Sequence, residues 1–206
     1  MRRSFLVVAA IAPLLGGCFF FGGPAPPELD RACLADLDKH AISYESIVLP
    51  EAHDPQCTVD TAVRVERLEA RLRHPATMSC AMASRFDRFE REAVEPLARR
   101  DLGRSVAQIE HFGAYACRAN TSKRGVLSEH AYGRAFDIAG FRFSDGTTAN
   151  VARDWRRPGP VRDFLHDVAR NACRYFSVVL TPDSNRDHYN HLHLDIGRDR
   201  VCSAGV

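Results

Sequence analysis

Residues Ser128-Glu129-His130-Ala131-Tyr132-Gly133-Arg134-Ala135-Phe136-Asp137 read S-x-H-x-x-G-x-A-x-D. The pattern is one half of a metal site: an imidazole, a turn with glycine, then a carboxylate entering a strand. Gly133 permits the tight turn that lets His130 and Asp137 face the same ion. Asp137 stands among apolar Ala135, Phe136 and Ile138, where a carboxylate costs free energy unless it is paired or metal-bound. The other half is His191-Leu192-His193 near the C-terminus. On a strand these two imidazoles share one face, with Leu192 and Leu194 on the other. One histidine can bind metal while the other takes or gives a proton. Two imidazoles and one carboxylate are a common set for a zinc ion that keeps a position open for water.

The surrounding chain is the scaffold that brings the two halves together. Phe136 to Phe143 reads as a strand, and Ser144-Asp145-Gly146-Thr147 as a turn returning through Thr148 to Val151. Upstream, Arg104 to Arg118 reads as a strand ending in a loop, and polar Asn120 to Leu127 as a rim of the pocket. Downstream, Val161 to Ala172 carries a clean helical period, Phe176 to Leu180 reads as a buried strand, and His191 to Ile196 as the last strand. Met78, Met82, Phe86, Phe89, Ala93 and Leu97 predict a helix over Met78 to Arg99 that Pro96 kinks or stops. Thr58 to Leu72 is ambiguous, Val59, Val63, Val65 and Leu68 being compatible with a strand followed by a turn of helix; Ser43 to Leu49 reads as a short extended piece, and Glu28 to His40 as a helix. The sum is an α+β fold, a mainly antiparallel sheet with helices packed on one side.

The N-terminus carries a different signal. Arg2 and Arg3 precede an apolar stretch from Phe5 to Leu15, too short to span a bilayer as a mature helix but shaped like a secretory signal. It ends in Leu15-Gly16-Gly17-Cys18, which resembles the lipobox of bacterial lipoproteins, whose signal is cleaved before a lipid-bearing cysteine. The division expected is a signal at 1–17, a Gly/Pro-rich tether at 18–27 anchored to a membrane through lipid on Cys18, and one domain over 28–206. Of the 28 basic side chains, removal of Arg2 and Arg3 leaves 26, against 26 acidic ones. A near-neutral chain without basic runs gives no footprint for nucleic acid. Of seven cysteines, those other than Cys18 form an even set without C-x-x-C, which reads as disulfides made in an oxidising compartment. Sequential pairing, Cys33–Cys57, Cys80–Cys117 and Cys173–Cys202, pins neighbouring elements and the C-terminal tail.

The S-x-H-x-x-G-x-A-x-D run and the C-terminal H-x-H together resemble the zinc D-Ala-D-Ala carboxypeptidases and their relatives that cut bacterial cell-wall peptides. More closely, the surroundings of Tyr115, Cys117, Arg118 and Asn120, Ser128-Glu129-His130-Ala131, Phe136-Asp137-Ile138-x-Gly140-Phe141, Ala172-Cys173 and His191-x-His193-Leu194-Asp195 resemble the bacterial extensin-like C-terminal domain family. The resemblance covers about Cys33 to Cys202 and implies a Hedgehog/DD-peptidase-like arrangement. It implies zinc held by His130, Asp137 and His193, His191 as general base, and Arg118 binding a substrate carboxylate or orienting the scissile carbonyl. Asn190 stands where many carboxypeptidase relatives carry a glutamate base, so either the proton transfer falls to His191 or the catalytic step is lost. The implied activity is metallopeptidase hydrolysis of stem peptides or cross-links of peptidoglycan, at the periplasm-facing surface of a membrane. The alternative is a non-catalytic wall-binding or scaffolding module that uses the same cleft. Asp195 reads as a structural residue that can orient a histidine. His40, His53, His74, His111 and His166 read as ordinary surface or core residues, and His188 as a loop residue near the site.

Overall fold

The computed structural model describes residues 30–50, 52–121 and 123–204. The expected signal, the tether and Cys18 lie outside the described residues. Nine strands among those described form one sheet: β1 (Ser43–Ser46), β2 (Ala62–Arg67), β3 (Arg71–Ser79), β4 (Val106–Gly113), β5 (Ala135–Phe143), β6 (Thr148–Asn150), β7 (Val178–Leu180), β8 (Leu192–Asp195) and β9 (Val201–Cys202). Their order is β1-β2-β3-β4-β5-β8-β7-β9, with β6 on β5. Only β3–β4 and β7–β9 are parallel. The helices are α1 (Arg31–Lys39), α2 (Cys80–Phe89), α3 (Glu95–Leu102), α4 (Val151–Asp154) and α5 (Pro160–Ala172). They pack on one another, α1 on α2, α3 on α5 and α4 on α5. The α+β expectation holds. Among the described residues no helix is long and apolar enough to cross a membrane.

The central strand β5 sets both the core and the site. Glu110 pairs with Gly140 but His111 pairs with Ile138, so β5 carries one extra residue, Ala139. A bulge of this kind flips side-chain parity. Phe136 and Ile138 before it, and Phe141 and Phe143 after it, therefore all join the buried core. Phe136 meets Phe86 of α2 edge-on at 4.9 Å, and Phe141 meets Phe164 of α5 at 5.4 Å. Asp137, between two core residues, is left on the opposite face. Gly140 is required by close approach: a Cβ there would lie 2.2 Å from the Ala149 carbonyl of β6.

Four expectations about elements are corrected. Thr58 to Leu72 contains no helical turn; β2 and β3 form a hairpin in which Val63 pairs with Met78 and Val65 with Ala76. The β-branched residues find cross-strand partners that a linear reading cannot see. Met78 therefore lies in β3, and the helix starts at Cys80, capped by Ser79, whose Oγ accepts the Met82 N–H. Of the two outcomes expected at Pro96, a kink or a stop, the stop does not occur, and the helical run continues to Leu102. A wide turn at Glu90–Val94, in which the Glu95 N–H donates to the Glu90 carbonyl, shifts the ladder ahead of the proline, which has no N–H to give. Val151 does not extend the β6 hairpin; it opens α4 behind the Asn150 cap.

Two disulfides are also re-paired. The bonds are Cys33–Cys80, Cys57–Cys117 and Cys173–Cys202. Only the last is the sequential one. Packing of α1 against α2 brings Cys33 to Cys80 with 6.1 Å between Cα atoms. The loop before β2 meets the chain leaving β4, bringing Cys57 to 5.5 Å from Cys117. Pairing follows which elements become neighbours, and disulfide geometry tolerates only such distances.

Candidate metal centre

The site is built from a capped turn and two paired strands. Ser128 precedes a short 3-10 turn, Glu129–Tyr132, and its Oγ accepts the His130 N–H at 3.3 Å. Gly133 ends the turn at φ 61°. Its N–H donates to the His130 carbonyl and its own carbonyl accepts from Ser79, at 3.0 and 2.9 Å. No other residue fits easily, since a Cβ would lie 2.8 Å from the Ser79 nitrogen. Two residues on, the chain enters β5, where Asp137 pairs directly with His193 of antiparallel β8. Leu192 and Leu194 are fully buried in the core, so His193 faces the site on the other side.

Three donor atoms converge there. His130 Nε2 lies 3.2 Å from Asp137 Oδ2 and 3.3 Å from His193 Nδ1, and His193 Nδ1 lies 2.9 Å from Asp137 Oδ1. With zinc bonds of about 2.0–2.1 Å, the atoms at two corners of a tetrahedral site stand about 3.3 Å apart. The far nitrogens are tied back. His130 Nδ1 lies 2.5 Å from the Ala114 carbonyl, and His193 Nε2 lies 3.1 Å from Asp195 Oδ2. With a metal bound, each far N–H would donate outward, fixing the tautomer and turning the near lone pair toward the centre. Asp195 is thus placed where it can orient the His193 ring. Donor set, spacing and outer hydrogen bonds all fit a metal ion, and His130, Asp137 and His193 are the residues that would hold it.

The electrostatics agree with a strongly coupled cluster. Burial works to raise the Asp137 carboxyl, but hydrogen bonds from His130 and His193 overcome it and hold the group far below the usual carboxylate range. Burial works to lower His193, yet Asp137 and Asp195 together push it up to about 9. His191 is shifted down, by burial first, with Asp137 opposing and His193, His130 and Arg118 adding to the fall. A neutral imidazole is the form that can accept a proton.

His191 stands beside this cluster, its Nε2 3.6 Å from Asp137 Oδ1 and its Nδ1 2.9 Å from Asn190 Oδ1. The Phe112 ring meets it edge-on at 5.8 Å. Phe112 reaches the site because β4 bulges there: His111 pairs with Ile138 and Gly113 with Asp137, leaving Phe112 extra and 59% exposed. Arg118 is exposed on the loop after β4 and lines the same cleft, of about 600 Å³, as Asp137, His191 and His193. The Asn120 to Leu127 loop forms part of its rim as expected. Glu129 is engaged with Arg134 at 2.8 Å.

His188 belongs to the site more closely than its loop position suggested. It lies on a 3-10 turn, Arg186–His188, with its ring 5.1 Å from His191 and 5.6 Å from His193. Burial, with His193 and His191 adding to it, pushes its imidazole down to about 4. The H-x-x-H-x-H spacing of His188, His191 and His193 was the available signal. His111 keeps its bland reading: it is buried between the His74 carbonyl and Phe136.

The model of the family described as extensin-like protein C-terminus matches residues 31–203. The chain belongs to that family. No curated protein and no solved structure matches it.

Proposed function

We propose that this chain is a zinc metallopeptidase of the bacterial cell envelope that hydrolyses peptide bonds in the stem peptides or cross-links of peptidoglycan. The observation that carries the reading is the convergence of His130, Asp137 and His193 at tetrahedral spacing beneath an open cleft. Three protein donors with a cleft above them match catalytic rather than structural zinc sites. A zinc ion there supplies Lewis acidity, polarising a carbonyl and lowering the pKa of water.

The chain's own residues supply the rest. His191, oriented by Asn190 and shifted toward its neutral form, accepts a proton from the attacking water and passes it to the leaving amine. Arg118 binds a substrate carboxylate or offsets negative charge developing on the carbonyl oxygen. Three disulfides suit an oxidising space outside the cytoplasm. Lipid on Cys18 would hold the domain at a membrane facing the polymer.

The test is digestion of purified peptidoglycan by the zinc-loaded protein, with products separated by mass spectrometry and His193→Ala and His191→Ala alongside. New fragments from the wild type alone, with zinc retained by His191→Ala and lost by His193→Ala, are expected. No fragments from a sample holding about one zinc per chain would overturn hydrolysis of this substrate and leave a wall-binding module.

A further inference from the structure

The cleft has a third wall made from the C-terminal tail. Val201–Cys202 forms β9, parallel to β7, with Val178 opposite Val201. The Val201 N–H donates to the Ser177 carbonyl at 3.0 Å. The Cys173–Cys202 bond ties the same segment to the end of α5. Asp199 pairs with Lys123 of the facing loop. A short tail is thus held by a strand, a disulfide and an ion pair, and Arg200 and Val201 line the cleft as a result.

A charge census of the lining leaves something unmatched. Asp137 and Asp195 are engaged with His130 and His193, Glu129 with Arg134, and Asp199 with Lys123. Asp187, on the turn Arg186–His188, is the remaining carboxylate. Among the described residues, neither Arg118 nor Arg200 has an ion-pair partner, and both line the cleft. The register places Val201, the residue directly after Arg200. Leu180 of β7 lies opposite His193, and Val178, two residues along the same strand, lies opposite Val201. Two residues of extended chain span roughly 7 Å, and the two strand-to-strand steps from β8 through β7 to β9 add roughly 10 Å sideways, so Val201 stands on the order of 12 Å from His193. Val126 and Val201, 50% and 46% exposed, add an apolar lining to the same cleft.

Resting on the peptidase reading above, we infer that Arg200 is a specificity-determining residue. It binds a carboxylate carried about three to four residues from the peptide bond held at the metal centre. The substrate class is an extended acidic peptide with aliphatic side chains, its charge met by Arg200 in addition to Arg118. A guanidinium meets a carboxylate through paired N–H donors, a geometry that an amide of the same shape cannot match in charge.

The experiment compares two synthetic stem-type peptides that differ only in that carboxyl group, free in one and amidated in the other. Binding to the zinc-loaded protein is measured by calorimetry, and cleavage by mass spectrometry, for wild type, Arg200→Ala, Arg200→Lys and Arg118→Ala. Zinc content and circular dichroism confirm that each variant is folded. The wild type is expected to prefer the acid by about tenfold. Arg200→Ala is expected to bring the two peptides to near parity, and Arg200→Lys to restore part of the preference. A preference that survives in Arg200→Ala, or its absence from the wild type, overturns the inference. Binding with the preference but without cleavage keeps the role of Arg200 and sinks the peptidase reading. Cleavage without the preference does the reverse.

Discussion

Glu90 offers a quantitative test of how this fold tolerates a buried acid. It is fully buried at the start of the wide turn before α3. Its Oε1 accepts the Ala70 N–H at 2.7 Å, tying the helix to the bend between β2 and β3, while Oε2 has no partner. Burial pushes the carboxyl up to about 8, with Asp87, Glu69 and Glu95 adding to the rise and the Ala70 hydrogen bond opposing it. The group is therefore neutral in the folded protein at neutral pH. In the unfolded chain it loses its proton near the ordinary value of 4.5. Between those two pH values the folded state holds a proton that the unfolded state has released. Stability contributed by Glu90 is thus complete below pH 4.5 and falls as pH rises toward 8, by about 1.4 kcal/mol per pH unit. Over the window the loss is on the order of 4 kcal/mol. Glu90→Gln keeps the acceptor for Ala70 and cannot ionise. It is expected to stabilise the domain by roughly 2–4 kcal/mol at pH 8 and by under about 1 kcal/mol at pH 4.5. Urea unfolding at both pH values, with disulfides intact, reads the difference. An equal effect at the two pH values would refute the argument, because it would mean that Glu90 titrates alike in both states.

Three further outcomes follow from the site and its supports. Asp195→Asn leaves the His193 Nε2–H a weaker acceptor and is expected to weaken zinc binding about 10- to 100-fold in a chelator competition; unchanged affinity would remove Asp195 from the orienting role. The Cys57–Cys117 bond anchors the segment whose Ala114 carbonyl accepts from His130 and whose Ala116 N–H donates to the His130 carbonyl. Replacing both cysteines by serine is expected to lower stability by about 2–4 kcal/mol and also to weaken zinc binding, whereas the same change at Cys33 and Cys80 lowers stability alone; equal zinc affinities in the two variants would break the link. Gly133→Ala places a Cβ against backbone at a left-handed φ, and a loss of about 2 kcal/mol or more is expected from thermal unfolding, with a near-neutral result disproving the need for glycine there.

Much of this site was legible in the linear chain because its chemistry is local. A histidine, a glycine and an aspartate within ten residues specify a turn running into a strand, and H-x-H specifies two imidazoles on one strand face. The alternation of Leu192 and Leu194 with His191 and His193 needs only the period of a strand. The helical stripe from Met82 to Leu97 was equally readable, since its period is intrinsic to the helix. Readings failed where a residue's partner lies far along the chain. Val63 and Val65 looked ambiguous until Met78 and Ala76 paired with them. His188 read as a loop residue because the H-x-x-H-x-H spacing alone does not say that its turn folds back onto His191.

By itself, then, the sequence indicated the candidate donor residues, the turn and strands that carry them and the α+β class, because residue type and local period act over a few bonds. Tertiary structure decided the rest. Pairing of β5 with β8 set Asp137 opposite His193, and the bulge at Ala139 kept four aromatic and aliphatic side chains in the core while leaving Asp137 outside it. The same assembly chose Cys80 for Cys33 and Cys117 for Cys57, and brought Arg200 into the cleft. Each of these depends on which distant segments pack side by side, and that is settled by burying one common core rather than by any stretch of chain alone.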